Sequence, residues 1–303
     1  MTDISKNWYK TKLVYHEQII EWFLLICAGI SILVTLGIVI ILVKESILFF
    51  NEVAIIDFFS STRWQPIIKE FGVLPLLNST FTTSLIAMAV AGPLGLFVAI
   101  YLSEYASDKI RGLLKPILEI LAGIPTVVYG YFALTFMTPL LRFIFGQNNV
   151  DIYNTASAGL VMGVLILPLV TSITEDALRA VPDSIRQASY GLGATKLETS
   201  LSTVVPAAFS GIASAFILGL SRAIGETMIV ALAAGAGPNF TFNPFEAAET
   251  LTGYIVRISG GDVSYNTVDY NSIFALGLML FLITLALNTI SRKIIKKYQE
   301  VYD

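Results

Sequence analysis

The sequence predicts an all-α integral membrane protein with six transmembrane helices and both termini in the cytoplasm. Hydrophobic residues make up 55% of its 303 residues and charged residues only 14%, whereas soluble domains carry about 25% charge. The mean hydropathy is +0.74. Six stretches are apolar and long enough to cross a hydrocarbon core of about 30 Å as helices. The period-two alternation of a membrane β-barrel is not seen along the sequence.

The six predicted spans differ in their proline content, and each internal proline should mark a kink. Pro93, Pro125 and Pro168 lie in the second, third and fourth spans. Such prolines are tolerated because neighbouring helices and hydroxyl side chains can satisfy the freed carbonyl groups. The predicted spans are 22–43, 76–102, 117–141, 156–173, 207–234 and 271–290, and residues 76–290 form the core domain.

The positions of Lys and Arg give the orientation, because cytoplasmic segments retain positive charge. With both termini inside, thirteen of the 19 basic residues are cytoplasmic and five lie outside, while Arg222 remains within a span. The cytoplasmic segments are then the tails 1–21 and 291–303, the loop around residue 110, and the loop 175–206. Basic residues of the C-terminal tail lie where they can contact anionic lipid headgroups.

Two outer loops, 44–75 and 235–270, are long and rich in turn residues. The first contains the segment FFSSTRWQP at 58–66, whose aromatic residues favour a position flat on the membrane surface. Both loops could bind a soluble partner outside or act as lids. Since no segment provides a soluble domain of about 50 or more residues, any energy-consuming enzyme must be another chain.

The cytoplasmic loop 175–206 is polar but patterned. A helix is predicted from Asp183, a good N-cap, to Tyr190, and Gly191 and Gly193 should end it. A second short amphipathic helix is expected over 194–204, before Pro206 opens the fifth span. Two short helices joined by a glycine turn form a compact knob on the inner face. A plain connector between spans is the alternative interpretation.

The segment RQASYGLGATKLETSLSTVVPAA, which starts at Arg186, resembles the cytoplasmic loop of ABC importer permeases. The family pattern is Glu-Ala-Ala, three residues, Gly, about nine residues, an aliphatic residue and Pro. Ala188, Gly193 and Pro206 match it, while Gln187 stands where the family has Glu. The resemblance implies a type I permease fold and a helix that couples to a separate ATPase. The residues implied in this coupling are Gln187, Ala188, Gly193, Ala194, Thr195, Lys196 and Leu197.

Three further motifs narrow this resemblance to the C subunit of phosphate-specific importer permeases. They are FFSSTRWQP at 58–66, GIPTVVYGYFALTFMTPLLR at 123–142 and SRAIGETMIV at 221–230. The resemblance covers about residues 58–297 and implies a bacterial or archaeal cytoplasmic membrane. The implied partners are a second homologous permease subunit in a heterodimer, two ATP-binding subunits and an external phosphate-binding protein. ATP and Mg would bind to the ATPase, no cofactor is expected in this chain, and no nucleic acid is an expected partner.

Arg222 and Glu226 are the predicted substrate-path residues. A charge in the middle of a membrane costs at least about 2.5–3.5 kcal/mol, so charged residues there are functional candidates. They lie four residues apart near the middle of the fifth span, on one helix face, so their side chains can meet. Phosphate would compete with Glu226 for the guanidinium of Arg222, which suits a tetrahedral oxyanion. A structural ion pair that fixes helix orientation is the alternative.

Other readings of the sequence remain open. Small residues at 211, 215, 219 and 223 form a stripe beside Arg222, on which another helix can pack closely. Glu119 is expected at the membrane interface, paired with a basic residue.

A permease for molybdate or sulfate is the main alternative to a phosphate permease, and an ion-coupled secondary transporter that uses Glu226 is a more distant one. GLGATK at 191–196 lacks the spacing of a P-loop, and hydrolase signatures are absent, so the chain is not expected to be an enzyme.

Overall fold

The computed structural model describes residues 3–261, 264 and 267–298, so the ends of both predicted tails lie outside the described residues. The part described is almost entirely helical. Its helices are α1 (Asp3–Glu52), α2 (Ile55–Ser60), α3 (Leu74–Ile100), α4 (Asp108–Gly123), α5 (Thr126–Phe132), α6 (Thr138–Phe145), α7 (Thr155–Arg179), α8 (Asp183–Gly191), α9 (Lys196–Thr199), α10 (Val205–Ala207), α11 (Phe209–Ile224), α12 (Met228–Ala233), α13 (Leu251–Ser259) and α14 (Val268–Tyr298). Single π-helical turns follow α3 and join α5 to α6 and α9 to α10.

Five helical segments are long and apolar enough to cross a membrane unaided: 20–52, 74–105, 126–145, 155–179 and 268–297. A sixth span is obtained if segments 196–207 and 209–224, which meet at a bend of 72°, are taken together. The predicted six-span all-α class agrees with this architecture. Both the third and the fifth span differ from the prediction, because each is broken near a proline or glycine.

The third predicted span, 117–141, is divided at Pro125. The residue before a proline is disfavoured in the α region, and Ile124 is extended with ψ of 131°. The chain therefore forms the separate amphipathic helix α4 before it crosses over residues 126–145. Glu119 lies in α4 rather than at the start of a span, and none of the described ion pairs includes it.

The first outer segment folds into a small aromatic cluster. Strands β1 (Trp64–Gln65) and β2 (Glu70–Phe71) pair antiparallel, with Trp64 opposite Phe71. Phe58 and Trp64 are almost fully buried and make edge-to-face ring contacts with Phe49, Phe71 and Tyr254. Ring contacts within the protein therefore hold these two side chains, and the position of the segment at the membrane surface stays a prediction.

The centre of the fold is the contact between α3 and α7. Gly159 and Gly163 form a G-x-x-x-G pair on α7, which lets the two backbones approach closely. A Cβ at Gly159 would lie 2.8 Å from Cβ of Ile86, and one at Gly163 would lie 2.8 Å from Cβ of Val90. The surrounding core contains Ala87, Ala91, Met162 and Ile166.

We expect Gly163→Ala to lower the free energy of unfolding by about 1–3 kcal/mol, because the added methyl group overpacks this contact. Gly37→Ala in α1 is the matched control, since no atom lies within 4 Å of a Cβ placed there. Denaturant titration of the detergent-solubilised chain measures both changes. Equal stability of the two variants would contradict the close α3–α7 packing.

The small-residue stripe of α11 packs within this chain. A Cβ at Gly211 would lie 2.3 Å from Cβ of Ala177, and one at Gly219 would lie 2.9 Å from Cγ2 of Val170. Ala215 and Ala223, also on the stripe, are buried. The predicted close helix contact is therefore present, and its partner is α7. Because the small-residue face of α11 is held against α7, the side chains on its opposite face point away from α7.

Candidate functional site

A cavity of about 720 Å³ opens among α4, α7 and α11. Its volume lies within the range of ligand sites, about 300–1,000 Å³. Apolar residues such as Leu165, Leu169 and Leu218 form much of its wall. The polar and charged residues that line it are Lys115, Glu119, Ser172, Glu175, Ser221, Arg222 and Glu226. Both predicted substrate-path residues therefore face the same cavity.

Arg222 and Glu226 are not paired with each other, in contrast to the predicted helix pair. Helix α11 ends at Ile224, and Glu226 lies in the break before α12. Gly225 disfavours continuation of the helix, and the Glu226 carboxylate accepts hydrogen bonds from the backbone N–H groups of Met228 and Ile229, at 3.2 and 3.5 Å. An anionic side chain stabilises the free N–H groups at a helix start.

The guanidinium of Arg222 is consequently free. Arg222 is exposed at the cavity wall, and within the described chain it makes no ion pair and no hydrogen bond. Glu226 is buried, so its negative charge stays beside the cavity while its Oε1 atom is held by the backbone. The cavity thus contains an available cation next to a fixed carboxylate.

The break at Glu226 is also tied to the outer loop. The hydroxyl of Thr252, in α13, donates a 2.6 Å hydrogen bond to the carbonyl oxygen of Glu226. Nearby, buried Glu249 pairs with Arg257 through two contacts of 2.6 and 2.9 Å. These hydrogen bonds raise the pKa of Arg257, against the opposing effect of burial. The outer loop 235–270 is therefore tied to the break at Glu226 by a hydrogen bond and carries a buried ion pair of its own.

At the cytoplasmic end of the cavity, Glu175 is surrounded by basic residues. The ammonium of Lys115 lies 2.9 Å from its Oε2 atom. Arg111 Nε and Arg179 Nη1 lie 3.6 and 3.8 Å from its Oε1 atom. These contacts join α4 to α7 where the cavity meets the cytoplasmic loop.

The cytoplasmic loop has the predicted two-helix form, with shifted boundaries. Helix α8 extends to Gly191, and Pro182 rather than Asp183 is its N-cap residue. Gly193 has φ of +87°, a conformation that glycine adopts without the steric cost that other residues incur. Thr195 caps α9 in a capping box with Glu198. We call residues 183–199 the cytoplasmic knob.

The cytoplasmic knob is anchored by a residue that the sequence analysis did not select. Arg186 binds Glu104 with two hydrogen bonds, of 2.9 and 3.2 Å, and also donates to the carbonyl groups of Leu178 and Val181. The two charged side chains are only 13% and 4% exposed. Lys196 adds a cation–π contact with Tyr105, 4.9 Å from the ring centroid. Both contacts fix the knob to the end of the second span.

The predicted coupling residues lie on the outer surface of this knob. Gln187, Ala188, Gly193, Thr195, Lys196 and Leu197 are exposed, and Ala194 is half-buried. Leu192 was not predicted, yet its side chain is 91% exposed, and that of Leu197 is also exposed. The position of Leu192 between Gly191 and Gly193 could have identified it in the sequence, because a large apolar side chain in such a turn has little chain around it to pack against.

Comparisons with known proteins agree with these features. Residues 91–299 match the family model "Binding-protein-dependent transport system inner membrane component". The chain is 36% identical to a probable ABC transporter permease protein, YqgH, of Bacillus subtilis (strain 168), over 85% of this chain and 84% of that protein. It is 32% identical to the phosphate transport system permease protein PstC of Xylella fastidiosa (strain 9a5c), over 78% of each. The corresponding probable permease of Methanocaldococcus jannaschii is 30% identical, over 81% of this chain and 83% of that protein.

Solved structures share the fold at lower sequence identity. A chain of a bacterial alginate ABC transporter, in complex with an alginate-bound periplasmic protein, superposes with a TM-score of 0.60 at 14% identity, covering 99% of this chain and 98% of that one. A chain of the MetNI methionine ABC transporter, in an inward-facing conformation, gives 0.52 at 21% identity, over 77% and 99%. The cavity, the cytoplasmic knob and the family match together identify a transport subunit of the cytoplasmic membrane rather than an enzyme. The chain therefore belongs to the family of binding-protein-dependent transport system inner membrane components.

Proposed function

We propose that this chain is the permease subunit of an ATP-driven importer that carries inorganic phosphate through the cavity lined by Arg222. The free guanidinium of Arg222 is the observation that carries the proposal. A planar guanidinium offers paired donors and permanent charge to a tetrahedral oxyanion. Several relatives with about 30% identity are named phosphate transport system permeases, which supports phosphate as the anion.

In this proposal Glu226 does not form the ion pair with Arg222 that was expected from their spacing. Its Oε1 atom is occupied by the start of α12, so it holds the break in position beside the cavity. Its charge opposes that of Arg222 without a direct contact. A nearby negative charge weakens anion binding, and a transported anion must be released as well as bound.

Permeases of this family act with an ATPase and a binding protein. We further propose that two ATP-binding subunits bind the cytoplasmic knobs of this chain and of a second, homologous permease subunit. Leu192 and Leu197 provide the apolar contact, and Lys196 and Gln187 provide the polar rim, as in other protein interfaces. ATP and Mg bind to the ATPase, and an external phosphate-binding protein delivers the anion. Arg222 and Glu119 are exposed at the cavity wall, so the second permease subunit would complete the enclosure.

Uptake by the complete complex in proteoliposomes tests the substrate. We expect ATP-dependent uptake of labelled phosphate that requires the binding protein, with sulfate and molybdate at least about tenfold slower, as for sites that select by hydrogen bonding. Faster uptake of sulfate or molybdate would assign another oxyanion. Uptake driven by a proton gradient without ATP would instead indicate a secondary transporter.

A further inference from the structure

The cluster around Glu175 carries more positive charge than a structural ion pair requires. Glu175 is 1% exposed and lines the cavity, and three basic side chains contact its one carboxylate. Arg111 has other partners, because it also binds the Leu102 carbonyl group and Asp108. Lys115 and Arg179 have no acidic partner besides Glu175 among the described ion pairs. Glu175 and Asp108 supply two negative charges against three positive ones, so one positive charge of the cluster is not balanced.

The contacts of Glu175 are electrostatic rather than well-formed hydrogen bonds. Neither of its carboxylate oxygens has an aligned hydrogen-bond partner in the described structure. A buried ion pair stabilises a fold only when hydrogen bonds also satisfy its polar atoms. Lys115 and Arg179 remain 33% and 50% exposed. An anion in the cavity can therefore replace Glu175 as their partner without breaking a directional network.

We propose that Lys115 and Arg179 form a second oxyanion site at the cytoplasmic end of the cavity, in which the transported anion displaces Glu175. The identity of the anion as phosphate rests on the proposed function above. Lys115 and Glu175 line the same cavity as Arg222, and Arg179 adjoins it through its contact with Glu175. Two weak sites in series let an anion enter and still leave quickly. Glu175 balances one of the two positive charges of Lys115 and Arg179 when the second site is empty.

A purely structural role makes a different prediction for a double variant. If Lys115 only neutralises Glu175, removal of both charges in Lys115→Gln/Glu175→Gln restores transport. If Lys115 binds the anion, the double variant stays slow because the binding cation is still missing. Comparison of Lys115→Gln with the double variant therefore separates neutralisation of Glu175 from binding of the anion, as a double-mutant cycle does.

The experiment measures ATP-dependent uptake of labelled phosphate, sulfate and molybdate by the complete complex in proteoliposomes. For the anion that the wild type transports, we expect Lys115→Gln and the double variant each to lower the rate about tenfold, the loss of one charged hydrogen bond. Lys115→Arg should retain most of the rate. Lys109→Gln is the matched control, because Lys109 is an exposed basic residue of α4 that does not line the cavity. Size-exclusion chromatography confirms that each variant complex assembles.

The outcomes separate a failure of the second site from a failure of the phosphate assignment. Uptake of sulfate or molybdate instead of phosphate by the wild type overturns the phosphate assignment, and the Lys115 series then tests the site with that anion. Recovery of the wild-type rate in the double variant, or a Lys115→Gln rate equal to that of Lys109→Gln, overturns the second site. Failure of the wild-type complex to transport any of the three anions overturns both.

Discussion

Substitution of Arg222 by Gln should lower ATP-dependent phosphate uptake about a hundredfold. Hydrogen bonds to a charged group contribute about 1.5–3 kcal/mol each, and about 1.4 kcal/mol corresponds to a factor of ten. Because Arg222 makes no ion pair within the described chain, its removal leaves no buried carboxylate unpaired. The fold should therefore tolerate the change, and the loss should appear in the transport rate.

Two further variants test this expectation for Arg222. Arg222→Lys keeps the charge but loses the planar pair of donors, so its uptake should lie between that of the wild type and that of Arg222→Gln. Ser221→Ala is the control, since Ser221 lines the same cavity without a charge. Initial rates in proteoliposomes, normalised to assembled complex, give the comparison. A rate for Arg222→Gln close to that of Ser221→Ala would exclude Arg222 from the substrate path.

The second large effect is expected for Arg186→Ala, which should destabilise the cytoplasmic knob by about 3–5 kcal/mol. That is the usual cost of removing one partner from a buried ion pair, and Glu104 is only 4% exposed. The carbonyl groups of Leu178 and Val181 would lose a donor at the same time. Helix α8 would then no longer be fixed to the end of the second span, so ATP hydrolysis would no longer drive uptake.

Co-purification of the ATPase and ATP-dependent uptake measure the loss of coupling, and thermal unfolding measures the loss of stability. Asp183→Asn is the control, because Asp183 is an 87% exposed partner of the same arginine and exposed pairs contribute about 0–1 kcal/mol. Glu104→Gln in the Arg186→Ala background should recover part of the stability, since it removes the unpaired buried charge. Normal coupling in Arg186→Ala would show that the knob is held by its other contacts.

Much of the fold could be predicted from sequence patterns that involve only residues close together in the chain. The fourth span, predicted at 156–173, corresponds to α7, and the glycine turn of the cytoplasmic loop has the positive φ at Gly193. The small-residue stripe on α11 likewise predicted a close helix contact. These features follow from hydropathy, backbone sterics and side-chain size, which act over short stretches of chain.

The two charged residues of the fifth span show where such patterns fail. Arg222 and Glu226 have the spacing of a helix pair, but Gly225 ends α11 between them. The break is maintained by the Glu226 carboxylate on α12 and by Thr252, which is 26 residues away in the chain. Nothing in the local spacing indicates that Thr252 satisfies the Glu226 carbonyl group. The spacing therefore predicted a contact that tertiary hydrogen bonds replaced.

Hydropathy and charge in the sequence identify an α-helical membrane protein with charged residues inside its spans, and its motifs resemble those of ABC permeases, which implies a cytoplasmic loop that couples to an ATPase. Which charges are paired depends on the tertiary structure. It leaves Arg222 free, joins Arg186 to Glu104 and surrounds Glu175 with basic residues from α4 and α7. The reason is physical: burying a charge is costly wherever it occurs, but its partner is chosen by the packing of helices that are distant in the chain.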